Sequence, residues 1–284
     1  MQRDDSRDLS EVTFIPFDTE TTGLVPIAGR LVELGAVCFH LHGHVSATFE
    51  QLIDPEEPIP DDARRIHGIT DAMVCGCPTI AYVLPQFVTL MGSPDRILVA
   101  HNARFDLGFL TIAMARLGLP CPPHRIFDTL ALARTLLPGL PGYSLGDVAR
   151  ALEIAKTFPH RALGDALLVK EIFRSLRRRS PWMKTVADLA HVTPPLTFQD
   201  AQFQPIDLPL QFTPLALALT RRRALMLLYE TGNNRSIRRA VTPSTLFAWQ
   251  GTTYLAGYCH RDAREKVFRL DRIRACWLPA EELS

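Results

Sequence analysis

Arg96-Ile97-Leu98-Val99-Ala100 is the tightest constraint in this chain. Its four apolar residues do not alternate with polar ones, so a strand formed here needs cover on both faces, as at the centre of a sheet. The segment that follows, NARFDLGFLTIAMARLG (102–118), has helical spacing, with Asn102 expected as its N-cap and Gly118 as its stop. Three strands are expected earlier, over 11–18, 30–40 and 44–53, the last two joined by a turn at His42-Gly43. Pro55, Pro58 and Pro60 break the chain before a short helix from Asp61-Asp62, the loop IHGIT (66–70) and a proline-containing helix over 79–92. Beyond residue 118, RIFDTLALARTLLPG reads as a short strand and then a helix. Ser144 is placed to cap LGDVARALEI, with Asp147 in the capping-box position. A helix over 163–179 ends in Arg177-Arg178-Arg179, where cations suit the negative end of the helix dipole. Three meandering strands followed by strand–helix alternation predict an α/β domain with a mixed sheet.

Phe17-Asp18-Thr19-Glu20-Thr21-Thr22-Gly23-Leu24 ends the first strand. Residues i and i+2 of a strand face the same way, so Asp18 and Glu20 point to one side and repel unless a cation lies between them. On an exposed strand end the same pair would simply be solvated. Asp106 falls in the first turn of the helix after the buried strand, a place where α/β sites gather and where the helix dipole also favours an acid. His160 and Asp165 are five residues apart, about 140° around a helix, so both reach one site only if His160 lies in the loop before the helix.

Taken together, FDTETTGL, IHGIT, HNARFDLGFL, FDTL, LLPGLPGYSLGDVARALEI and HRALGDA, in this order over residues 11–180, resemble the DnaQ-like (DEDDh) 3′→5′ exonucleases, the group that includes the proofreading subunit of the bacterial replicative polymerase. The resemblance implies a ribonuclease-H-like fold with a mixed five-stranded sheet in an exonuclease domain over 1–180. It implies Asp18, Glu20, Asp106 and Asp165 as metal ligands and His160 as the base acting on the attacking water. It also implies Thr21, Thr22, Leu24, His67, His101, Asn102 and Phe105 around the terminal nucleotide. For Phe105 the alternative is a core residue beside Phe109, and for Asn102 a helix cap. Oxygen donors suit Mg²⁺ or Mn²⁺ over zinc. Two such ions can clamp a phosphodiester, and four carboxylates nearly balance them. Histidine is the side chain that can take a proton near neutral pH. The rivals are an RNA exonuclease, since spacing says nothing of the 2′-OH, and a non-catalytic nucleic-acid-binding adaptor that keeps the fold.

Pro194, Pro195, Pro205, Pro209 and Pro214 suggest a linker, set at 181–212. In the segment over 213–284, TPLALALTRRRALMLLY (213–229) reads as a helix, although ALMLLYET (224–231), which overlaps its end, also has strand character, as does Arg238-Arg239-Ala240-Val241. TYLAGYC and VFRLDRI read as strands, the alternation of the second breaking at Arg272-Ile273. This segment resembles a WYL domain, through Trp249, Tyr254, Leu255, Tyr258, Cys259, His260 and the run from Phe268 to Ile273. The resemblance implies a small Sm-like β-barrel with ligand or nucleic-acid contacts at Arg261, Arg264, Lys266, Arg269 and Arg272. A structural or partner-docking module is the alternative, and Asp262 falls where an arginine is common in that family.

Charge is uneven. Residues 206–284 carry 12 Lys/Arg against 7 Asp/Glu, while the whole chain is at +1. This asymmetry fits an anionic partner and, equally, solvated arginines on helix faces. The expected partners are nucleic acid, single-stranded DNA above all, and a DNA polymerase or other replication or repair protein, with no membrane. No apolar run approaches the ~18 residues a bilayer needs, and the polar N-terminus lacks a signal-peptide pattern, so a cytoplasmic protein with six reduced cysteines is expected. Cys75 and Cys77 alone make a poor zinc signal.

Overall fold

A computed structural model describes residues 5–27, 29–154, 160–201, 208–221, 223–232, 235–249 and 251–279. In the first of two units, Met1–Gln202, the elements in chain order are β1 (Phe14–Thr21), β2 (Leu31–Phe39), β3 (Val45–Leu52), α1 (Asp61–His67), α2 (Asp71–Val74), α3 (Ile80–Met91), β4 (Ile97–Ala100), α4 (Arg104–Arg116), β5 (Arg125–Asp128), α5 (Thr129–Leu136), α6 (Leu145–Ala151), α7 (Ala162–Arg179) and α8 (Val186–Val192). The strands pair in the order β3-β2-β1-β4-β5. β1, β2 and β3 form an antiparallel meander, while β4 and β5 join it in parallel. The mixed α/β sheet is the one expected. Every residue of β4 is buried, as its unbroken apolar run requires.

Strand alternation sorts β1 into two faces. Phe14 lies 4.8 Å from Phe173 of α7, centroid to centroid. Phe17, on the other face, lies 5.9 Å from Phe87 of α3. Helices thus cover both sides, and each fully buried phenylalanine contributes about 1.5–3 kcal/mol. The α7 face continues through Asp18 and Glu20, whose cross-strand partners on β2 are Gly35 and Glu33. Residues directly opposite in an antiparallel pair share a face, so these four form the floor on which α7 begins. The fit is close: a Cβ on Gly35 would stand 2.2 Å from the Ala162 carbonyl carbon and the Leu163 nitrogen. A Gly35→Ala chain is expected to lose about 1–3 kcal/mol of stability, seen as a lower urea midpoint with unchanged slope.

Local signals set several ends. Ser144 and Asp147 form the capping box at α6. Gly118, at φ +66°, follows α4 and leaves the Leu119 N–H free to bond the Met114 carbonyl at 2.9 Å. At the other end of α4 the expectation fails: the N-cap is Ala103, and Asn102 lies one residue outside at φ +62°. Its N–H goes to Asp128 Oδ1 at 2.9 Å, the atom that also caps α5 through Leu130.

The expected linker, 181–212, is folded over much of its length. α8 carries its own capping box, Thr185 with Asp188. Leu196 bridges to Ile126, and Phe198 is buried in a 3₁₀ turn whose carbonyl faces Thr111 of α4. Residues 181–201 therefore belong to the first unit.

The second unit, Phe203–Ser284, contains α9 (Thr213–Arg221), β6 (Leu225–Glu230), β7 (Ser236–Trp249), β8 (Thr252–Cys259), β9 (Arg264–Arg269) and β10 (Ile273–Trp277). The helix expected to run to 229 stops at 221, and its second half is strand β6, paired with both β7 and β10. The antiparallel order is β10-β6-β7-β8-β9. No ladder joins β9 to β10 among the described residues, so the closure of a barrel is not seen. VFRLDRI, expected as one strand, is split by a 3₁₀ turn over Leu270–Arg272, which is where its alternation breaks. Leu215 and Ala218 of α9 pack with Leu225, Val241, Leu255 and Phe268 in a core of this unit's own. No described helix is long and apolar enough to cross a membrane.

Candidate active site

Asp18 and Glu20 leave β1 on the face that α7 covers, and Asp165 comes down from the first turn of α7. One carboxylate oxygen from each of the three lies within 4.8 Å of the others. Asp106 arrives separately. Its Oδ1 accepts from the Thr19 N–H at 3.0 Å and from the Thr19 hydroxyl at 2.7 Å. Asp106 thus adjoins the group through Thr19, between Asp18 and Glu20 in the chain, and lies outside the set of three that converge within 4.8 Å.

The electrostatics record the crowding. Burial, then the charges of Asp106, Glu20 and Asp165, raise the Asp18 carboxyl well above the ordinary carboxylate range. Burial and the Asp165 charge push Glu20 up to about 8. Burial raises Asp106 to about 7 against the opposing Thr19 hydrogen bonds. Asp165 is also raised by burial, with the charge of His160 pulling the other way. Such a cluster is costly unless a cation joins it. The donor set consists of hard oxygens, and Asp165 Oδ1 is buried with no hydrogen-bond partner among the described residues. Both features fit a hard divalent cation.

His160 precedes α7 in an exposed loop at φ +45°, a backbone conformation rare outside glycine. The nucleotide-contact set divides. Leu24 is 73% exposed. Phe105 is half-buried, its ring 5.1 Å from that of Phe109, and Asn102 is exposed. The other four turn their polar atoms inward. Thr21 donates to the Gly23 carbonyl, and Thr22 donates to Glu57 while accepting from the Arg30 N–H. His67 is buried and accepts from the Ile69 N–H through Nδ1. His101 Nε2 donates to the Tyr143 carbonyl and Nδ1 meets the Thr129 hydroxyl. Burial lowers the pKa of both histidines.

Sequence reasoning passed over Glu33. It is fully buried on β2 opposite Glu20. Arg161 Nε lies 3.0 Å from both of its carboxylate oxygens, and the Ala162 N–H donates to Oε2 at 2.8 Å. A charged residue inside an otherwise apolar strand was the available signal, since such a residue needs a partner.

In the second unit, Arg261 and Arg264 are exposed and Arg272 is half-buried. Lys266 and Arg239 both bind Asp262 at 2.6 Å, holding its carboxyl down at about 2, with the Lys266 hydrogen bond the largest cause. Arg269 pairs with Asp271. Asp262 thus spends its charge on two of the unit's cations. Tyr254 stacks on Phe247 at 5.4 Å, and the side chain of Trp249 lies outside the described residues.

The exonuclease family model matches residues 15–173, and a WYL domain model matches residues 211–276. Over 121 residues, 43% of this chain, the sequence is 39% identical to the PolC-type DNA polymerase III of Halalkalibacterium halodurans, of which that match covers 8%. The nuclease domain of 3′hExo, a DEDDh family member bound to rAMP, superposes with a TM-score of 0.53 at 20% identity, over 61% of this chain and 94% of that one. E. coli exonuclease I in complex with a dA16 oligonucleotide gives a TM-score of 0.55 at 17% identity, over 87% of this chain and 55% of that one. These two likenesses give the fold, that of the ribonuclease-H-like exonucleases. The chain belongs to the exonuclease family, a nuclease hydrolase whose second unit carries a WYL domain.

Proposed function

We propose that the first unit removes nucleoside monophosphates from 3′ ends of single-stranded or frayed DNA, with divalent metal held by Asp18, Glu20 and Asp165 and assisted by Asp106. The observation that carries this reading is the triad itself, three carboxylates within 4.8 Å with a buried, unpartnered oxygen on Asp165. DNA is favoured as substrate by the PolC-type relative, which is named as a DNA polymerase. Bound there, a pair of Mg²⁺ or Mn²⁺ ions would supply Lewis acidity, lowering the pKa of the attacking water and neutralising charge on the departing 3′ oxygen. The four acids hold the charge that such chemistry needs. His160, exposed in the loop before α7 with its charge acting on Asp165, accepts the proton of the attacking water. Leu24 and Phe105 offer apolar surface to the terminal base, a contact that tolerates any sequence. The second unit adds substrate affinity or regulation through its exposed arginines.

The test is digestion of 3′- and 5′-labelled single-stranded DNA and RNA with and without Mg²⁺. Stepwise shortening from the 3′ end of DNA, only with metal, is expected. Preference for RNA, attack from the 5′ end, or binding without digestion would overturn the reading. His160→Ala is expected to lower kcat by about 10²–10⁴-fold, the ordinary contribution of a positioned base. An unchanged rate removes His160 from that role.

A further inference from the structure

We propose that Glu33 and Arg161 are a positioning pair that fixes the loop bearing His160 against the metal-binding carboxylates, an inference resting on the reading of His160 as the base. Glu33 is fully buried and lies directly across from Glu20. It receives the Arg161 guanidinium through Nε at 3.0 Å to each oxygen and through a terminal nitrogen as well. It also takes the Ala162 N–H, at the entry to α7, at 2.8 Å. A single carboxylate therefore clamps the side chain of one residue and the backbone of the next.

Glu33 is fully buried while Arg161 stays partly exposed, and the pair is a poor source of stability because desolvating the carboxylate offsets much of the attraction. Its distinctive property is geometry, since a two-pronged guanidinium–carboxylate contact sets distance and angle together. The backbone on either side needs such fixing. His160 sits at φ +45° and Arg161 is extended at φ −134° before the helix starts. A non-glycine residue stays in the left-handed region only where its surroundings over-determine it. Gly35, two residues along β2 on the same face as Glu33, lets the Ala162–Leu163 backbone lie directly on the strand. Glu33 and Gly35 are thus one seat for the start of α7. The seat thereby holds Arg161, the residue that follows His160, against the strand.

The test uses the full chain with Arg161→Ala, Arg161→Lys, His160→Ala and the Arg161→Ala/His160→Ala double variant, reading kcat and KM on labelled single-stranded DNA with Mg²⁺, and Tm. Arg161→Ala is expected to lower kcat by about 30-fold, the scale of a small misplacement of a reacting group, while KM moves by less than about threefold. In the His160→Ala background the same change should cost less than about twofold, since a residue acting through His160 has nothing left to position. Lysine, lacking the fork, should recover only a minor part. Equal losses in both backgrounds, a loss confined to KM as for a direct phosphate contact, or no loss at all would each overturn the pair's role. Should Arg161→Ala lower Tm, Glu33→Gln, which keeps the volume, must give the same pattern. Full activity in His160→Ala alone overturns a different claim, that His160 is the base.

Discussion

Asp18→Asn abolishes cleavage without weakening the fold. The substitution keeps volume and shape but removes a charged oxygen donor from the three that converge within 4.8 Å. If the metal accounts for several kcal/mol of transition-state stabilisation, the loss is on the order of 10³-fold or more in kcat. Stability should move the other way. In the metal-free protein the Asp18 carboxyl is opposed by burial and by the charges of Asp106, Glu20 and Asp165, and an amide escapes those penalties. With EDTA present, Tm of the Asp18→Asn chain is therefore expected to equal or exceed that of the parent. The stabilising effect of Mg²⁺ on Tm should shrink in the variant, because binding to the folded state alone is what raises Tm. A variant that retains a tenth of the activity, or one that loses activity with the full Mg²⁺ effect intact, would sink the assignment of Asp18 as a ligand.

Much of this site was legible because its signals are local. Strand alternation alone puts Asp18 and Glu20 on one face, and the break before α7 puts His160 outside the helix and Asp165 in its first turn. Asp106 was legible as a helix-start acid, whereas its attachment through Thr19 was not, because that contact joins residues 87 apart. Glu33 illustrates the same limit. Its meaning lies in Arg161, 128 residues away, and no periodicity announces such a partner.

The fold divides along the same line. The unbroken apolar run at 97–100 announces a central strand, and the Ser144–Asp147 spacing announces a cap, because both depend on neighbouring residues. Prolines at 194 and 195 suggested a linker, yet the chain around them is ordered by Leu196 on Ile126 and Phe198 beside Thr111. Local propensity could not weigh those contacts. The switch from helix to strand between Arg221 and Leu225 has the same origin. ALMLLY is apolar enough for either state, and pairing with β7 on one side and β10 on the other selects the strand.

Without metal, the protein should lose stability as pH rises from about 4.5 to about 8, the reverse of the acid lability of ordinary paired carboxylates. Glu20 is the clearest case, with its carboxyl raised from 4.5 to about 8 by burial, then by Asp165 and Glu33. Below about 4.5 both folded and unfolded chains hold this proton and the group contributes no slope. Between the two values the folded chain keeps the proton and the unfolded chain has released it. The folded state then binds more protons, so unfolding free energy falls with pH, by up to ~1.4 kcal/mol per unit for one such group. Above about 8 the slope ends. Asp106, raised to about 7 with burial the largest cause, adds to it over the lower part of the window. Divalent metal inverts the dependence, because it binds the deprotonated cluster and must displace those protons. The Mg²⁺-induced rise in Tm should therefore grow from near zero at pH 5 to its maximum near pH 8. Thermal melts in EDTA and in Mg²⁺ across this range test both halves, with Glu20→Gln as the control that should flatten the EDTA slope. An EDTA slope of the opposite sign, or a Glu20→Gln chain with the parent's slope, would mean that the carboxylates are not confined together in the metal-free protein. Since that confinement is what suits them to a shared cation, the metal site would fail with it.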